Sequence, residues 1–159
     1  MTQIDKPAPL NRRQFAVAAA ATAALTLAPL PALAQEQPGA KPWEALVKKI
    51  VGDAKPVEGK LVIDMAEIAE NGNTVPFTLS VASPMTDKDH VKAMYLISTA
   101  NPRPEVVAFR FTPASGAAKA ESRMRLVSTQ DVIAIAELSD GKFLMARRPV
   151  KVTVGGCGG

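Results

Sequence analysis

The sequence contains very few of the residues from which most catalytic and metal sites are built. Its 159 residues include one cysteine, one histidine, one tryptophan and one tyrosine. A single cysteine cannot form an internal disulfide, and it leaves no CxxC pair for a zinc site or a thioredoxin-like redox centre. The single histidine, His90, excludes a histidine-rich metal site and would have to serve any Ser-His-Asp triad alone. The aromatic content of 4% is also too low for platforms that stack nucleic-acid bases.

Positive charge is scarcer than the formal net charge of +4 indicates. Residues 1–34 hold Lys6, Arg12 and Arg13 against Asp5, so the rest of the chain has 16 basic and 14 acidic residues, a net charge of +2. These charges are interspersed, and they form no basic stripe of the kind that neutralises phosphates. Nucleic acid is therefore not expected as a partner.

The first 34 residues have the pattern of an export signal. Arg12 and Arg13 precede an uncharged, alanine-rich run, and Ala32-Leu33-Ala34 supplies the small residues that a signal peptidase requires. Adjacent arginines before a weakly hydrophobic run indicate the twin-arginine route. We therefore predict a twin-arginine signal peptide at residues 1–34, cleavage after Ala34 and a periplasmic protein. Two prolines interrupt the apolar run, so insertion into the membrane is not expected.

Beyond the signal, the spacing of apolar residues predicts one domain that is rich in β-strands. Residues 35–59 are interpreted as a linker and a short helix, because apolar residues from Trp43 to Ile50 recur at helical spacing. We expect that helix to cover a sheet edge. From residue 60 the apolar period becomes two, and turn signals such as Asn71-Gly72-Asn73 separate the segments. The expected strands lie at residues 61–69, 75–81, 91–99, 106–111, 120–128, 131–138 and 143–154.

This succession of short strands predicts the fold class. About seven strands over residues 60–154, without intervening helices, are typical of an all-β, immunoglobulin-like antiparallel sandwich. Since the strands contain neither a disulfide nor a tryptophan, the core is expected to be aliphatic. Val91–Ile97 and Val106–Phe111 carry more apolar positions than one buried face requires. We therefore expect a partner protein to contact one of these two strands, with Phe109 and Phe111 as the positions that would test this.

The clearest candidate for chemistry is the single cysteine. Cys157 follows the last predicted strand and lies within Gly155-Gly156-Cys157-Gly158-Gly159. Because glycine has wide backbone freedom and no side chain to dock, Gly155, Gly156, Gly158 and Gly159 are predicted to form a flexible arm. An extended arm would span roughly 13–14 Å from Thr153 to the cysteine, at about 3.3–3.6 Å per residue. Nothing fixed in the arm would activate the thiol, so activation is expected from another protein's active site.

These features together resemble those of a known family. An export signal, a domain of this size and the ending VKVTVGGCGG are similar to SoxY, the sulfur-carrier subunit of the bacterial Sox thiosulfate-oxidation system. The segments NGNTVPFTLSV and DHVKAMYLISTANPRPEVVAF extend the resemblance into the domain, and Asn11 is a mild departure in the signal. The resemblance implies an immunoglobulin-like fold and a carrier rather than an enzyme. Cys157 would hold sulfur intermediates covalently, with no metal and no separate cofactor.

The same resemblance implies a set of partners. These are a SoxZ-like β-sandwich subunit in a heterodimer, a c-type cytochrome that conjugates thiosulfate to Cys157, a hydrolase that releases sulfate and, in some organisms, a sulfane dehydrogenase. The alternative is a secreted immunoglobulin-like binding module that uses Cys157 only for disulfide-linked dimers. Modification of Cys157 by thiosulfate in the presence of the partner enzymes would distinguish the two hypotheses.

Overall fold

Two β-sheets pack against each other around an aliphatic interior in the computed structural model of the protein, which describes residues 41–156. The larger sheet has the strand order β1-β9-β8-β5-β6, with β3 also paired to β9, and the smaller sheet has the order β2-β4-β7. This arrangement confirms the predicted all-β, immunoglobulin-like sandwich. The elements in chain order are helix α1 (Pro42–Val51), β1 (Val57–Glu58), β2 (Leu61–Asp64), β3 (Ile68–Asn71), β4 (Val75–Val81), β5 (Val91–Ser98), β6 (Glu105–Arg110), a 3-10 turn (Pro113–Ser115), β7 (Ala118–Met124), β8 (Gln130–Leu138) and β9 (Phe143–Val154).

Strand β4 shows how the alternation of apolar and polar residues produces this sandwich. Val75, Phe77, Leu79 and Val81 are buried, whereas the residues between them are exposed or half-buried. Side chains of a strand point alternately to opposite faces, so this pattern turns one face of β4 towards the larger sheet. Burial of each such side chain contributes about 1.5–3 kcal/mol. The predicted bounds of β4 and β9 are those observed.

The sequence predicted that helix α1 covers a sheet edge. The helix lies instead on a face of the larger sheet. Its apolar side packs against Ile97, Ile133 and Ile135, which are buried on the side of the sheet opposite the sandwich interior. The helix begins with Pro42, a residue well suited to a first helical position, and Gly52 ends it with a φ of 60°. The helix therefore buries a second, smaller apolar cluster.

This second cluster corrects one of the two predicted partner surfaces. Strand β5 lies between β8 and β6, and it is buried on both faces, by the sandwich interior and by α1. The excess of apolar residues in Val91–Ile97 is thus explained by the helix and offers no surface to a partner. On β6 the ring of Phe109 lies 6.4 Å from that of Phe77, so it belongs to the interior. Within residues 41–156, β6 pairs with β5 alone and leaves its other edge open.

Two further local differences from the prediction concern the strands beside β9. Residues 61–69 form two strands, β2 and β3, which belong to different sheets. Both β1, in the region expected to be linker, and β3 pair with β9 in parallel, so the sandwich is not purely antiparallel. Pro149 lies within β9, opposite Asp131 of β8. Two short parallel strands therefore cover the edge of β9.

Some of the predicted features fall outside the described residues. These are the signal peptide at residues 1–34 with Arg12 and Arg13, its cleavage site after Ala34, and the residues Cys157, Gly158 and Gly159. Within the described part of the chain, no helix has the length and apolar character needed to span a lipid bilayer.

Candidate functional site

The segment that carries the cysteine is held against the body of the protein where β9 ends. Val154 is the last residue of β9, and Gly155 and Gly156 follow it into contact with two loops. One loop is the turn around Gly72, between β3 and β4, and the other joins β7 to β8 and includes Leu126. Cys157 is bonded directly to Gly156, so this contact precedes the cysteine by one peptide bond.

Three backbone hydrogen bonds close this contact into a ring. The amide of Gly72 donates to the carbonyl oxygen of Val154 at 2.8 Å, and the amide of Leu126 donates to that of Gly72 at 2.8 Å. The amide of Gly156 then donates to the carbonyl oxygen of Leu126, also at 2.8 Å. We call this arrangement of Gly72, Leu126, Val127, Gly155 and Gly156 the tail dock. Its three segments hold one another through main-chain atoms.

The tail dock requires glycine for steric reasons. A Cβ atom on Gly72 would overlap the carbonyl oxygen of Leu126 and would lie 2.8 Å from the amide nitrogen of Gly156. A Cβ on Gly156 would lie 2.6 Å from the carbonyl oxygen of Gly72, and one on Gly155 would overlap the carbonyl oxygen of Val127. These three glycines do not adopt the left-handed φ that explains Gly141, whose φ is 82°. Close approach of backbones is therefore the reason for glycine here.

This finding bears on two residues of the predicted flexible arm, Gly155 and Gly156. The amide of Gly156 is hydrogen-bonded and the residue is buried, whereas Gly155 is exposed and passes close to the carbonyl oxygen of Val127. The sequence predicted a flexible arm because glycine has no side chain that could dock. In the structure, the lack of a side chain is what lets these two glycines approach the backbones of the two loops. Gly158 and Gly159, the other two predicted arm residues, lie outside the described residues together with Cys157.

A network of two side-chain amides supports the loop that receives the tail. Asn101 donates from Nδ2 to the carbonyl oxygen of Arg125 at 2.8 Å, and its Oδ1 accepts from the amide of Val127 at 3.2 Å. Oδ1 also accepts from Nε2 of Gln130 at 2.9 Å. Gln130 is only 7% exposed, and its Oε1 accepts from the amide of Ala100 at 2.8 Å. Asn101 and Gln130 therefore fix the backbone on both sides of Leu126.

Sequence reasoning missed this role of Asn101 and Gln130. Asn101 and Pro102 come just after the strand predicted at residues 91–99, and by themselves they indicate only the end of that strand. The neighbours of Asn101 in the network, Arg125 and Val127, are far away in the sequence, and no local pattern connects them to it. An asparagine directly before a proline in a loop was the one available signal, and it is equally typical of a simple turn.

Two arginines of β9, upstream of the cysteine, are engaged with partners of their own. Arg147 lies 3.2 Å from a carboxylate oxygen of Asp131, and its guanidinium carbon lies 5.5 Å from the centre of the Trp43 ring. Arg148 lies 3.3 Å from a carboxylate oxygen of Glu67 and 3.3 Å from the carbonyl oxygen of Met65. These two arginines therefore do not form an unopposed cationic patch that could attract an anion to the tail.

Side chains with displaced pKa values lie away from the tail dock. In the turn between β8 and β9, a hydrogen bond lowers the pKa of Asp140 and raises that of Lys142. On β7, a hydrogen bond lowers the pKa of Glu121 and raises that of Lys119. Both pairs are exposed ion pairs on the surface, and they take no part in holding the tail.

The histidine lies at the other end of the sandwich. Nδ1 of His90 is 3.0 Å from the carbonyl oxygen of Thr86, and the amide of His90 donates to Oγ of Ser139 at 3.1 Å. The register pairs Val91 with Leu138, at the end of β8 opposite to Gln130 and the tail dock. Among residues 41–156, no group of three or more His, Cys, Asp and Glu side chains lies close enough together to hold a metal ion.

Comparison with known proteins identifies relatives of this chain. The family model described as "Sulfur oxidation protein SoxY" matches residues 47–157. Among solved structures, the sulfur carrier protein SoxY from Chlorobium limicola f thiosulfatophilum is 28% identical with a TM-score of 0.59, and the match covers 70% of this chain and 96% of that one. A search of curated proteins found no match.

More distant structural neighbours share the fold. A superoxide reductase (neelaredoxin) from Ignicoccus hospitalis is 16% identical with a TM-score of 0.52, over 59% of this chain and 80% of that one. The superoxide reductase from Nanoarchaeum equitans is 14% identical with a TM-score of 0.52, over 61% and 99% of the two chains. At such low identities these neighbours show a common sandwich and carry no further information about function.

Proposed function

This chain belongs to the SoxY family of sulfur oxidation proteins, and we propose that it is a periplasmic carrier that holds sulfur intermediates covalently on Cys157 while partner enzymes act on them. The observation that supports this most directly is the extent of the family match. It runs through residue 157 and thus includes Cys157, the only cysteine of the chain. A covalent carrier needs a reactive group that other proteins can reach, and it needs no substrate pocket or catalytic base of its own.

The proposed loading step joins thiosulfate to the thiol by oxidation. Cys157–SH and thiosulfate form a cysteine S-thiosulfonate, in which a new S–S bond links Sγ to the outer sulfur of thiosulfate. The reaction releases one proton and two electrons, and a c-type cytochrome that catalyses the conjugation accepts the electrons. This product belongs to the reversibly capped states of cysteine, because exchange with another thiol can restore the free cysteine.

The next steps also belong to partners. A hydrolase adds water to the terminal sulfonate, which releases sulfate and a proton and leaves a persulfide on Cys157. A sulfane dehydrogenase, where an organism has one, oxidises the remaining sulfane sulfur. A SoxZ-like β-sandwich subunit completes the proposed heterodimer, and the open edge of β6 (Glu105–Arg110) supports contact with a partner there. We place the protein in the periplasm because residues 1–34 have the pattern of a twin-arginine signal.

Intact mass spectrometry tests this proposal. Incubation with thiosulfate, the conjugating cytochrome and an electron acceptor should increase the mass of the wild-type protein by one S₂O₃ unit. The matched variant Cys157→Ser should remain unmodified while keeping the wild-type unfolding transition. Mass analysis of protein from its native periplasm should also show a chain that starts at Gln35, if cleavage follows Ala34.

Two results would contradict the carrier function. One is a wild-type Cys157 that stays unmodified under these conditions. The other is a Cys157→Ser variant that differs from the wild type only in the loss of disulfide-linked dimers, as expected for a binding module that uses Cys157 to dimerise. Non-reducing electrophoresis of both proteins would show the dimers.

A further inference from the structure

We propose that Gly72 is a positioning residue for the carrier cysteine: by admitting the backbone of Gly156, it fixes the point from which Cys157 leaves the body of the protein. This inference rests on the proposed function, since it concerns how the reactive cysteine is presented. Gly72 does not touch the reacting atoms. It acts through the tail dock, in which Gly72 contacts Val154, Leu126 and Gly156.

The first argument is the reason for glycine at position 72. The Asn71-Gly72-Asn73 sequence is typical of a turn that needs a left-handed glycine, but Gly72 does not have a left-handed φ. Its surroundings are instead too close for any side chain, since a Cβ would meet backbone atoms of Leu126 and Gly156. Backbone atoms cannot rotate aside as the end of a side chain can. An alanine would therefore push Gly156, Leu126 or the turn itself out of place.

The second argument is the mutual dependence of the hydrogen bonds. Gly72 donates to Val154 and accepts from Leu126, and Leu126 in turn accepts from Gly156, each at 2.8 Å. A shift of Gly72 therefore disturbs both bonds that it makes and the oxygen that receives Gly156. The network of Asn101 and Gln130 holds the loop around Leu126 from the other side. Of the three segments, the tail at Gly156 is thus the one that is most easily displaced.

The consequence concerns how a partner enzyme captures the cysteine. Because the amide of Gly156 is already held by Leu126, capture of Cys157 by a partner does not have to fix the backbone of Gly156. Release of Gly156 would add that one residue to the segment that must be ordered. Fixing the backbone of one residue lowers a binding constant by about tenfold. We therefore expect the dock to improve capture of the carrier and to leave the chemical step at sulfur unchanged.

The experiment compares Gly72→Ala with Gly141→Ala in the complete carrier. Amide hydrogen exchange at Gly156 and steady-state kinetics of the conjugating enzyme, with the carrier as variable substrate, are measured for both. Gly72→Ala should accelerate exchange at Gly156 and raise KM for the carrier by about tenfold, with kcat within about twofold of the wild type. Gly141→Ala strains a left-handed backbone in a turn with no heavy atom within 4 Å, so it should lower stability without changing KM.

The outcomes separate this inference from the proposed function. Loading of Gly72→Ala with wild-type KM, or an equal rise in KM for Gly141→Ala, would overturn the positioning role alone. A wild-type carrier that is not loaded would overturn the proposed function and, with it, this role. If Gly72→Ala does not fold, Gly156→Ala approaches the same contact from the tail, with its Cβ 2.6 Å from the Gly72 oxygen, and should raise KM in the same way.

Discussion

The interior of the sandwich and the tail dock are held together by different parts of the polypeptide. In the interior, aliphatic side chains such as Leu79 and Leu96 have no solvent exposure and join the two sheets by apolar burial. At the tail dock, main-chain amides and carbonyls of Gly72, Leu126 and Gly156 make the contacts. A side chain at position 72 or 156 would prevent them. The interior therefore depends on the volume of its side chains, and the tail dock depends on how closely its backbones approach.

This difference implies that the two regions tolerate different changes. A core accepts apolar replacements of similar volume at a modest loss of stability, because neighbouring side chains adjust. A contact between backbones has no side chain to adjust, so even the smallest addition displaces a segment. Stability and presentation of the cysteine should therefore be separable by mutation. The predictions below test that separation, together with those already given for Cys157 and Gly72.

The largest effect on stability is expected for Leu79→Ala. Leu79 is at the centre of β4, is 0% exposed and packs in the main apolar cluster. Its truncation should lower the free energy of unfolding by about 2–5 kcal/mol, because it removes apolar contacts and leaves a cavity. Urea unfolding followed by circular dichroism measures this loss.

The same variant should leave the tail dock intact. We expect the amide of Gly156 to exchange through local opening of the tail and not through unfolding of the interior. Exchange at Gly156 in Leu79→Ala should therefore match that of the wild type, as should KM for the carrier. Faster exchange at Gly156 at low urea concentration would show that the two regions are coupled and would contradict the comparison.

The same contrast explains which parts of the structure the sequence could predict. The alternation in Val75–Val81 reports burial of one face directly, and both the strand and its bounds were correct. Residues 61–69 are also rich in apolar residues, but the chain there passes from one sheet to the other, and only distant strands decide which segment pairs with which. The excess of apolar residues on β5 likewise could not reveal that α1, and not another protein, covers them.

Glycine was the residue type that local reasoning interpreted least well. It occurs both where the chain must be mobile and where two backbones must approach closely, and these two uses have the same sequence. For Gly155 and Gly156 the deciding partners, Gly72 and the Leu126 loop, come from elsewhere in the chain. The identity of the family, by contrast, could be predicted, since the tail motif is local and specific. Whether Cys157 carries sulfur stays a prediction until it is tested as described above.

An intermediate loss of stability is expected for Asn101→Ala. This variant should change both the free energy of unfolding and the exchange of the Gly156 amide in the tail dock. The change removes three hydrogen bonds, to the Arg125 carbonyl, the Val127 amide and the buried side chain of Gln130. Loss of these bonds, one of them to the buried side chain of Gln130, should lower the free energy of unfolding by about 1–3 kcal/mol. Because the loop around Leu126 is loosened, the amide of Gly156 should also exchange faster, in contrast to Leu79→Ala.

Ser139→Ala is the matched control for Asn101→Ala. Ser139 also bonds to the backbone of other segments, with Oγ accepting from the amide of His90 at 3.1 Å and donating to the carbonyl oxygen of Lys88 at 3.2 Å. It does so at the opposite end of β8, so its loss should lower stability without faster exchange at Gly156. Equal exchange at Gly156 in the two variants would mean that the Asn101 network does not support the tail dock.

The smallest effect is expected for Arg147→Ala, on the outer face of the larger sheet. Arg147 stacks on Trp43 of α1, with 5.5 Å between the guanidinium carbon and the ring centre, and it pairs with Asp131 at 3.2 Å. The Arg147 side chain is 53% exposed, so water and salt weaken both contacts, and the variant should lose about 0.5–1 kcal/mol of unfolding free energy.

Arg147→Lys keeps the charge but not the planar stack, so its stability should lie between those of Arg147→Ala and the wild type. Since α1 holds its place mainly through apolar contact with Ile97, Ile133 and Ile135, neither change should release the helix or alter exchange at Gly156. A loss above about 2 kcal/mol would exceed what an exposed stack and ion pair can contribute. It would mean that Arg147 and Trp43 anchor α1, and that a charged contact at the surface supports the sandwich as much as its interior does.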